Sequence, residues 1–152
     1  MTTVAVVNNG RGWNVPNIEP KVVRANQFVL ADENGETRAT LSIGRHGPEL
    51  SLWDENGLGR AQLTVRNDGP VLGLWDENGT GRAELIVKNA GPILILSDKN
   101  GKTRAELTVK NAGPELSLWD ENGKLRNVLM VGENGPSLTL FDENGQAIWS
   151  AP

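Results

Sequence analysis

Aromatic and arginine side chains recur together along this chain, at a spacing that suits a stacking surface. Trp or Phe returns at one position of a repeating unit, and an Arg follows each Trp seven residues later. An Arg guanidinium over an indole ring contributes about 0.5–1 kcal/mol at an exposed site. Trp and Arg are also the residues most enriched in interface hot spots. The column consists of Trp53, Arg60, Trp75, Arg82, Trp119, Arg126 and Phe141.

Two interpretations of this column are open. In the first, the aromatic and Arg side chains cover a sheet and stiffen its hairpins. In the second, the rings form a ladder that stacks on sugars or on a partner protein, and Ser97 interrupts the ladder. The first is purely structural, whereas the second makes the column a partner-binding site.

The remaining polar residues predict no catalytic, cofactor or metal site. Asp54 is followed by Glu55, Asn56 and Gly57, whereas a calcium loop needs acidic oxygens at alternate positions that converge on one ion. His46 is the only histidine and occurs in one repeat alone, so a Ser-His-Asp triad would depend on that single imidazole. We therefore expect that the protein is not an enzyme and needs no cofactor.

Composition narrows the classes of partner. The chain has 152 residues, no cysteine and a net charge of -4, so disulfides and thiolate metal sites are excluded. Acids and bases are mixed in every repeat, and without a basic stripe we expect no binding to nucleic acid. No apolar run approaches the roughly 20 residues of a membrane helix, and no signal peptide is recognised. A soluble, cytoplasmic protein is the default expectation.

The elements that position these residues form a tandem repeat. The tetrapeptide Asp-Glu-Asn-Gly, with Lys99 for Glu in one copy, returns every 22 residues, and a Gly-Pro pair keeps the same period. Such self-similarity predicts one supersecondary unit stacked many times. We predict an N-terminal arm or cap over residues 1–25 and a repeat domain over residues 26–152. The domain comprises a half repeat at 26–31, repeats that begin at Asp32, Asp54, Asp76, Asp98 and Asp120, and a terminal half repeat at 142–152.

Each repeat reads as a β-hairpin. Apolar and polar residues alternate in two short stretches, the signature of half-buried strands. Asn-Gly is the strongest short signal for a two-residue type I′ turn. With Asn56-Gly57 as that turn, Leu52 opposes Ala61, Trp53 opposes Arg60, and every apolar residue lies on one face. A type I turn followed by a Gly bulge would shift the pairing by one residue and split the apolar set, so we favour the two-residue turn.

The Gly-Pro connection leaves two geometries open. A two-residue turn centred at Asp68-Gly69 pairs Leu72 with Val65 and makes an antiparallel hairpin meander. A type II turn, with Gly third and Pro next, equally suits the corner of a β-solenoid. The meander has one apolar face that self-association must cover, for example as three chains in a prism around a common apolar axis, whereas the solenoid needs no partner.

Four aliphatic columns define the face that must be buried. They begin at Leu41, Ile43, Leu50 and Leu52 and recur with the 22-residue period. Each Leu or Val that is fully buried contributes about 1.5–3 kcal/mol. Phe28 and Leu30 extend two columns toward the N-terminus, and Trp149 falls where other repeats carry Ala. The predicted fold class is an all-β, elongated six-fold repeat, either the meander or the solenoid, and we expect a homo-oligomer with the trimer favoured.

The repeat unit also resembles known sequences. The pattern Leu-x-Leu-Trp-Asp-Glu-Asn-Gly-x-x-Arg-Ala-x-Leu-x-Val, present at residues 50–65, resembles the tandem 22-residue β-repeats of uncharacterised bacterial proteins. These repeats often also end in a Trp and an Ala-Pro, like Trp149, Ala151 and Pro152. The resemblance spans roughly residues 26–152. In architecture alone the unit is similar to the YD-type and MORN hairpin arrays, and it implies no active-site residues.

These patterns predict a role in structure rather than in chemistry. We expect a scaffolding β-repeat protein that self-associates. The main alternative is a module that binds carbohydrate or protein through the Trp/Arg column. A third hypothesis is a component of a phage or surface fibre or spike, for which the elongated shape would be the function.

Overall fold

The strands of this chain form one continuous antiparallel sheet. The computed structural model describes residues 23–152, and twelve strands follow one another across the sheet in chain order. They are β1 (Gln27–Ala31), β2 (Thr37–Ile43), β3 (Pro48–Trp53), β4 (Gly59–Arg66), β5 (Gly69–Trp75), β6 (Gly81–Lys88), β7 (Gly91–Ser97), β8 (Thr103–Lys110), β9 (Gly113–Trp119), β10 (Leu125–Gly132), β11 (Gly135–Phe141) and β12 (Ala147–Ala151).

The all-β class and the hairpin meander are confirmed. Each strand pairs with its neighbours in the chain, and residues 23–152 contain no helix. Of the two geometries that the sequence left open, the structure adopts the meander, and the solenoid is excluded for these residues. Most of the predicted arm or cap at residues 1–25 lies outside the described part of the chain.

The Asp-Glu-Asn-Gly turn differs from the predicted two-residue turn. The N–H of Gly57 donates to the carbonyl of Asp54 (3.1 Å), and the N–H of Asp54 donates to the carbonyl of Leu58 (3.0 Å). Gly57 has a φ of +76°, whereas Asn56 is not at positive φ. This is a three-residue loop, a type I turn closed by a glycine bulge. The Asp54 carboxylate favours it, because its Oδ1 accepts the N–H groups of both Asn56 (2.9 Å) and Leu58 (3.0 Å).

A second irregularity restores the predicted pairing of the apolar residues. Leu52 pairs with Ala61 as expected, but Trp53 pairs with Gly59, and the register shifts between these two pairs. Arg60 is therefore the extra residue of a bulge. The glycine loop shifts the register by one residue, and this bulge shifts it back, so the apolar side chains stay on one face.

The Gly-Pro connection is a tight loop shifted from its predicted centre. Arg66 pairs with Gly69, so the loop consists of residues 67–68, and Leu72 faces Leu63, two residues away from the predicted partner. Gly69 closes the loop rather than occupying the third position of a type II turn. Because the side-chain period of a strand is two, a two-residue difference changes no face.

Close packing between repeats explains the glycine in the first four of the five Gly-Pro pairs. Gly69 has a φ of +128°, and a Cβ built on it would lie 1.7 Å from the carbonyl oxygen of Val87 in the next repeat. Gly113 meets Val131 in the same way, at 1.8 Å. The last copy, Gly135, keeps a φ of +101° but has no atom within 4 Å of such a Cβ. Neighbouring hairpins thus approach through backbone, and any side chain here would separate them.

One face of the sheet, which we call the leucine face, carries two unbroken rows of mainly apolar residues. Each row contains one residue from every strand, paired with its counterparts on the neighbouring strands. The first row is Phe28, Leu41, Leu50, Leu63, Leu72, Leu85, Leu94, Leu107, Leu116, Leu129, Leu138 and Ala151. The second is Leu30, Ala39, Leu52, Ala61, Leu74, Ala83, Leu96, Ala105, Leu118, Asn127, Leu140 and Trp149.

Within one chain the leucine face stays uncovered. Because all leucine side chains have the same length, neighbours cover only the part of each side chain nearest the backbone. Leu72 is therefore 36% exposed and Leu41 is 49% exposed. The face extends for about 50 Å across the strands and about 13 Å along them, or roughly 700 Å². The largest apolar patch on a typical monomeric protein is about 300–600 Å². A single chain therefore exposes more contiguous apolar surface than a soluble monomer usually does.

The opposite face, which we call the aromatic face because it carries Trp53, Trp75, Trp119 and Phe141, buries its small residues instead. Thr108 is 2% exposed and Ser51 is 6% exposed. Val71, at 6%, is the one buried apolar side chain in residues 23–152. Ser51, for example, lies beside Gln62, whose amide donates to its hydroxyl.

Two glycine substitutions separate backbone strain from packing between repeats. Gly113→Ala and Gly135→Ala both place a Cβ on a residue with positive φ, which costs about 1–3 kcal/mol. Gly113→Ala must also displace the Val131 carbonyl, so the free energy of unfolding of this variant should fall by about 1–3 kcal/mol more than that of Gly135→Ala. Urea unfolding of both variants measures the difference. Equal losses would show that the close approach contributes nothing to stability.

Candidate functional site on the aromatic face

The aromatic residues of the predicted column all lie at the same end of the sheet. Trp53, Trp75, Trp119 and Phe141 are the last residues of β3, β5, β9 and β11. Ser97 ends β7 and leaves a gap in the series. Successive members belong to alternate strands, so Trp53 and Trp75 are separated by about 10 Å.

Glycines allow the Trp75 ring to lie against the sheet. A Cβ built on Gly73 would be 2.5 Å from Cη2 of Trp75, and one on Gly81 would be 3.7 Å from its Nε1. The indole therefore crosses its own strand at a position where other repeats carry larger residues, such as Ser51 and Ser117. Sequence reasoning did not single out Gly73, because its role depends on the orientation of a ring two residues away.

Two shallow clefts flank Trp75. The larger, of about 330 Å³, has Trp53 and Trp75 on its sides and includes Ser51 and Gln62 in its lining. Gln62 Nε2 donates a hydrogen bond to Ser51 Oγ (3.2 Å). Indole walls with an amide and a hydroxyl between them offer stacking together with hydrogen bonding. Ligand sites combine apolar walls with a few polar groups in the same way.

The smaller cleft lies on the other side of Trp75. It measures about 220 Å³ and is lined by residues that include Glu84, Ile95 and Ser97. The first cleft has a second indole, that of Trp53, on the side away from Trp75. At the corresponding position the second cleft has the Ser97 side chain. Of the predicted column, the structure thus brings Trp53 and Trp75 together around one cleft, whereas Trp119 and Phe141 line neither of these two clefts.

The predicted Trp–Arg pairing is wrong. Gly59 rather than Arg60 lies opposite Trp53, Gly81 rather than Arg82 lies opposite Trp75, and Leu125 rather than Arg126 lies opposite Trp119. The cause is the additional bulge, which displaces each Arg from the ladder position that a two-residue turn would have given it.

The arginines of the first four turns instead each bond to an aspartate and to the next hairpin. Arg60 Nη1 lies 3.1 Å from Asp54 Oδ2, and its Nε donates to the backbone carbonyl of Trp75 (3.1 Å). Arg82 connects Asp76 to the carbonyl of Ser97 in the same manner, at 3.2 and 3.0 Å. We call this arrangement the Asp–Arg clamp, because one guanidinium holds its own turn and the end of the next strand.

The complete clamp extends along the array from Arg38 to Arg104. Arg38 reaches the carbonyl of Asp54, and Arg104 Nε reaches that of Trp119 at 2.9 Å. Arg126 forms only the first half of the clamp, with its Nε 2.7 Å from Asp120 Oδ2. Asp142 is followed six residues later by Ile148, so the final turn has no clamp arginine. The recurring Asp-to-Arg spacing of six was visible in the sequence. The contact between the two side chains could not be predicted from it, because that contact depends on the bulge at the Arg.

Hydrogen bonds lower the pKa of the turn aspartates. For Asp76 the largest influence is the N–H of Thr80, which lowers the pKa; partial desolvation raises it by less, and the N–H of Asn78 and the guanidinium of Arg82 lower it further. For Asp32 and Asp54 the largest single influence is desolvation, which raises the pKa, but the hydrogen bonds together outweigh it. The pKa is below its ordinary value in all of Asp32, Asp54, Asp76, Asp98, Asp120 and Asp142.

Other chemistry is sparse in the described region. Across residues 23–152, no three His, Cys, Asp or Glu side chains are grouped so that they could hold a metal ion. His46 lies in the loop between β2 and β3, where the N–H of Gly44 donates to the carbonyl of Gly47 (2.8 Å). The same region has no helix long and apolar enough to span a bilayer.

Comparison with known proteins adds no identification. The chain matches no family model, and no curated protein is significantly similar to it. The resemblance to bacterial 22-residue repeats therefore stays a prediction, and the function must be inferred from the two faces of the sheet.

The lowered pKa values predict how stability depends on pH. A carboxyl whose pKa is lower in the folded state than its unfolded value of about 3.9 contributes stability above that pH, and this contribution is lost as the pH falls through the folded pKa. Stability should therefore fall as the pH drops below about 4. Asp76→Asn should lower the urea midpoint at pH 7 and lose less stability between pH 7 and pH 3 than the unmodified chain.

Asp68→Asn provides the control. The Asp68 side chain is 63% exposed and approaches Lys88 only to 3.8 Å, so its removal should leave the pH profile unchanged. A loss for Asp76→Asn equal to that of the unmodified chain would show that this carboxylate does not contribute to acid sensitivity.

Proposed function

We propose that this chain is a non-enzymatic structural protein that assembles with copies of itself through the leucine face. The observation that supports the proposal is the uncovered apolar surface on all twelve strands. Apolar area removed from water contributes about 25 cal/mol per Å². An area of roughly 700 Å² is also close to the ~800 Å² that each partner buries in a standard protein interface.

Strand length makes three chains a suitable number. A strand of seven residues, such as β5, is about 23 Å long. Three such strands forming an equilateral triangle leave about 7 Å between each wall and the axis, against about 5 Å in a pair of packed sheets. Leucine side chains from three walls would meet at that axis and close a dry interior along the prism.

Neighbouring substitutions on one strand test the assembly. At low protein concentration the unmodified chain should sediment at equilibrium with about three times its 16.4 kDa mass. Leu63→Glu would place three carboxylates at the axis, and since an unpaired buried charge is costly, the dissociation constant should rise at least a hundredfold, or about 2.7 kcal/mol. Gln62→Glu adds the same charge to the aromatic face of β4 and should leave the mass unchanged.

The possible masses separate the alternatives. A stable dimer that Leu63→Glu dissociates would retain self-association and reject the prism. A monomeric unmodified chain that stays folded and soluble would reject the proposed function itself.

A second candidate function is carbohydrate binding on the aromatic face, and the cleft between Trp53 and Trp75 favours it. Sugars present flat apolar faces edged with hydroxyl groups, which suit indole stacking beside the Gln62 amide and the Ser51 hydroxyl. A protein partner, the other ligand class that the column suggests, would need no such polar lining. This function is compatible with assembly, because it uses the opposite face.

Tryptophan substitutions test the second candidate. Trp53→Ala and Trp75→Ala should each weaken the binding of any glycan selected on a glycan array by about two- to tenfold, since a stacked ring contributes around 0.5–1.5 kcal/mol. Trp119→Ala removes a ring that lines neither cleft and should have little effect. An array without any bound glycan, or identical profiles for all three variants, would reject carbohydrate binding.

A further inference from the structure

The two edge strands of the sheet carry no charge. β1 has the sequence QFVLA and β12 has the sequence AIWSA. Their apolar side chains are exposed: Val29 by 54%, Leu30 by 64% and Ile148 by 65%. Natural sheets usually protect exposed edges with lysine, proline or inward-pointing charges, because an open edge pairs with other strands. Neither edge strand of residues 23–152 has such a residue, and the bulge of β12 at Ile148 leaves the paired residues 149–151 in regular register.

The edges occupy complementary phases of the repeat. Phe28 and Leu30 precede Leu50 and Leu52 by one period, so β1 corresponds to β3. Trp149 lies five periods after Ala39, so β12 corresponds to β2. Placing β12 of one chain beside β1 of another therefore recreates the β2–β3 neighbour pair. The two strands are also antiparallel, because the number of strands is even.

Side-chain volumes match across this junction in the first row of the leucine face, whereas in the second row Trp149 would face Leu30 where Ala39 faces Leu52. In the β2–β3 pair, Leu41 opposes Leu50 and Ala39 opposes Leu52. In the same register, Ala151 would oppose Phe28 of the second chain. A smaller residue on one edge thus meets a larger one on the other, whereas the pairs of this row between β2 and β11 all have two leucines. Both residues belong to the leucine face, so its first row would continue from chain to chain.

We propose that β12 of one chain pairs with β1 of a second copy, so that chains join head to tail with the repeat kept in phase. This contact is heterologous, since two different edges meet, and such contacts propagate into filaments unless a rotation closes them into a ring. It uses backbone groups at the sheet edges and is separate from burial of the leucine face. Either contact can exist without the other.

Cysteine pairing on the aromatic face tests the junction directly. The chain has no cysteine, so Val29→Cys and Ser150→Cys introduce single thiols. Val29 corresponds to Ser51 of β3 and Ser150 to Thr40 of β2, and Thr40 and Ser51 are paired. Antiparallel partners have Cα separations of about 4.5–5.5 Å, which is within the range that a disulfide spans. An equimolar mixture of the two variants, oxidised with glutathione, should give a cross-linked heterodimer.

The control mixture is Val29→Cys with Ile148→Cys, which is two residues out of register and should cross-link at least tenfold more slowly. Because the thiols lie away from the leucine face, prism formation alone would not bring them together. A higher rate of heterodimer formation in the first mixture than in the control mixture supports the proposal. The proposal would be overturned by the absence of a cross-link, by equal rates in both mixtures, or by disulfides only between two Val29→Cys chains. If residues 1–22 covered β1, no cross-link would form, and this result would count against the proposal in the same way.

A charge substitution separates this contact from the proposed function. Val29→Lys should remove species larger than the leucine-face oligomer in sedimentation velocity while leaving that oligomer intact. Leu63→Glu should dissociate the leucine-face oligomer, but the cross-link between Val29→Cys and Ser150→Cys should still form in chains that also carry Leu63→Glu. An unmodified chain that stays a discrete trimer at every concentration would overturn head-to-tail pairing and leave assembly through the leucine face standing.

Discussion

The structure depends on one constraint: every strand must present its leucines on the same side of a single layer. Residues 23–152 form no second sheet and no helix, and within them each strand contacts only the strands next to it. In such a quasi-one-dimensional object, stability is a sum of repeat and nearest-neighbour terms. A slip of one residue at any junction would move a strand's leucines to the aromatic face. Register control at eleven successive junctions is therefore the central requirement, and the turns and bulges provide it.

The sequence predicted the face that each residue occupies more securely than the turns and registers that place it there. Alternation of apolar residues together with the Asn-Gly signal paired Leu52 with Ala61, but at the Gly-Pro connection the predicted pairing was two residues off, because such a slip changes no face. The alternation could not distinguish a two-residue turn from a three-residue loop followed by a compensating bulge, since both give the same leucine positions. Asp54 decided between them by accepting two backbone N–H groups. That preference is a local hydrogen-bond effect which leaves no trace in the hydrophobic pattern.

The candidate site was predictable in position and not in contacts. A 22-residue period fixed the column of tryptophans, and their end-of-strand placement followed from it. The arginines left that column because the bulge at Arg60 gives its guanidinium access to Asp54 and to the next hairpin. The cleft beside Trp75 depends in turn on Gly73, whose missing side chain matters only once the ring lies across it. Site geometry in this fold thus depends on deviations from the repeat, whereas the fold depends on the repeat itself.

The two proposed uses of the sheet reinforce each other because they occupy opposite faces. Covering the leucine face turns every aromatic face outward, so a prism of three chains would display three parallel columns of rings. Weak contacts of one ring with a sugar become strong when several act on the same polymer, since later contacts form at high effective concentration. Head-to-tail pairing would lengthen each column in phase, with ring positions kept at multiples of about 10 Å. A repeat without insertions suits that purpose, because one added residue would break the row of leucines and the spacing of the rings together.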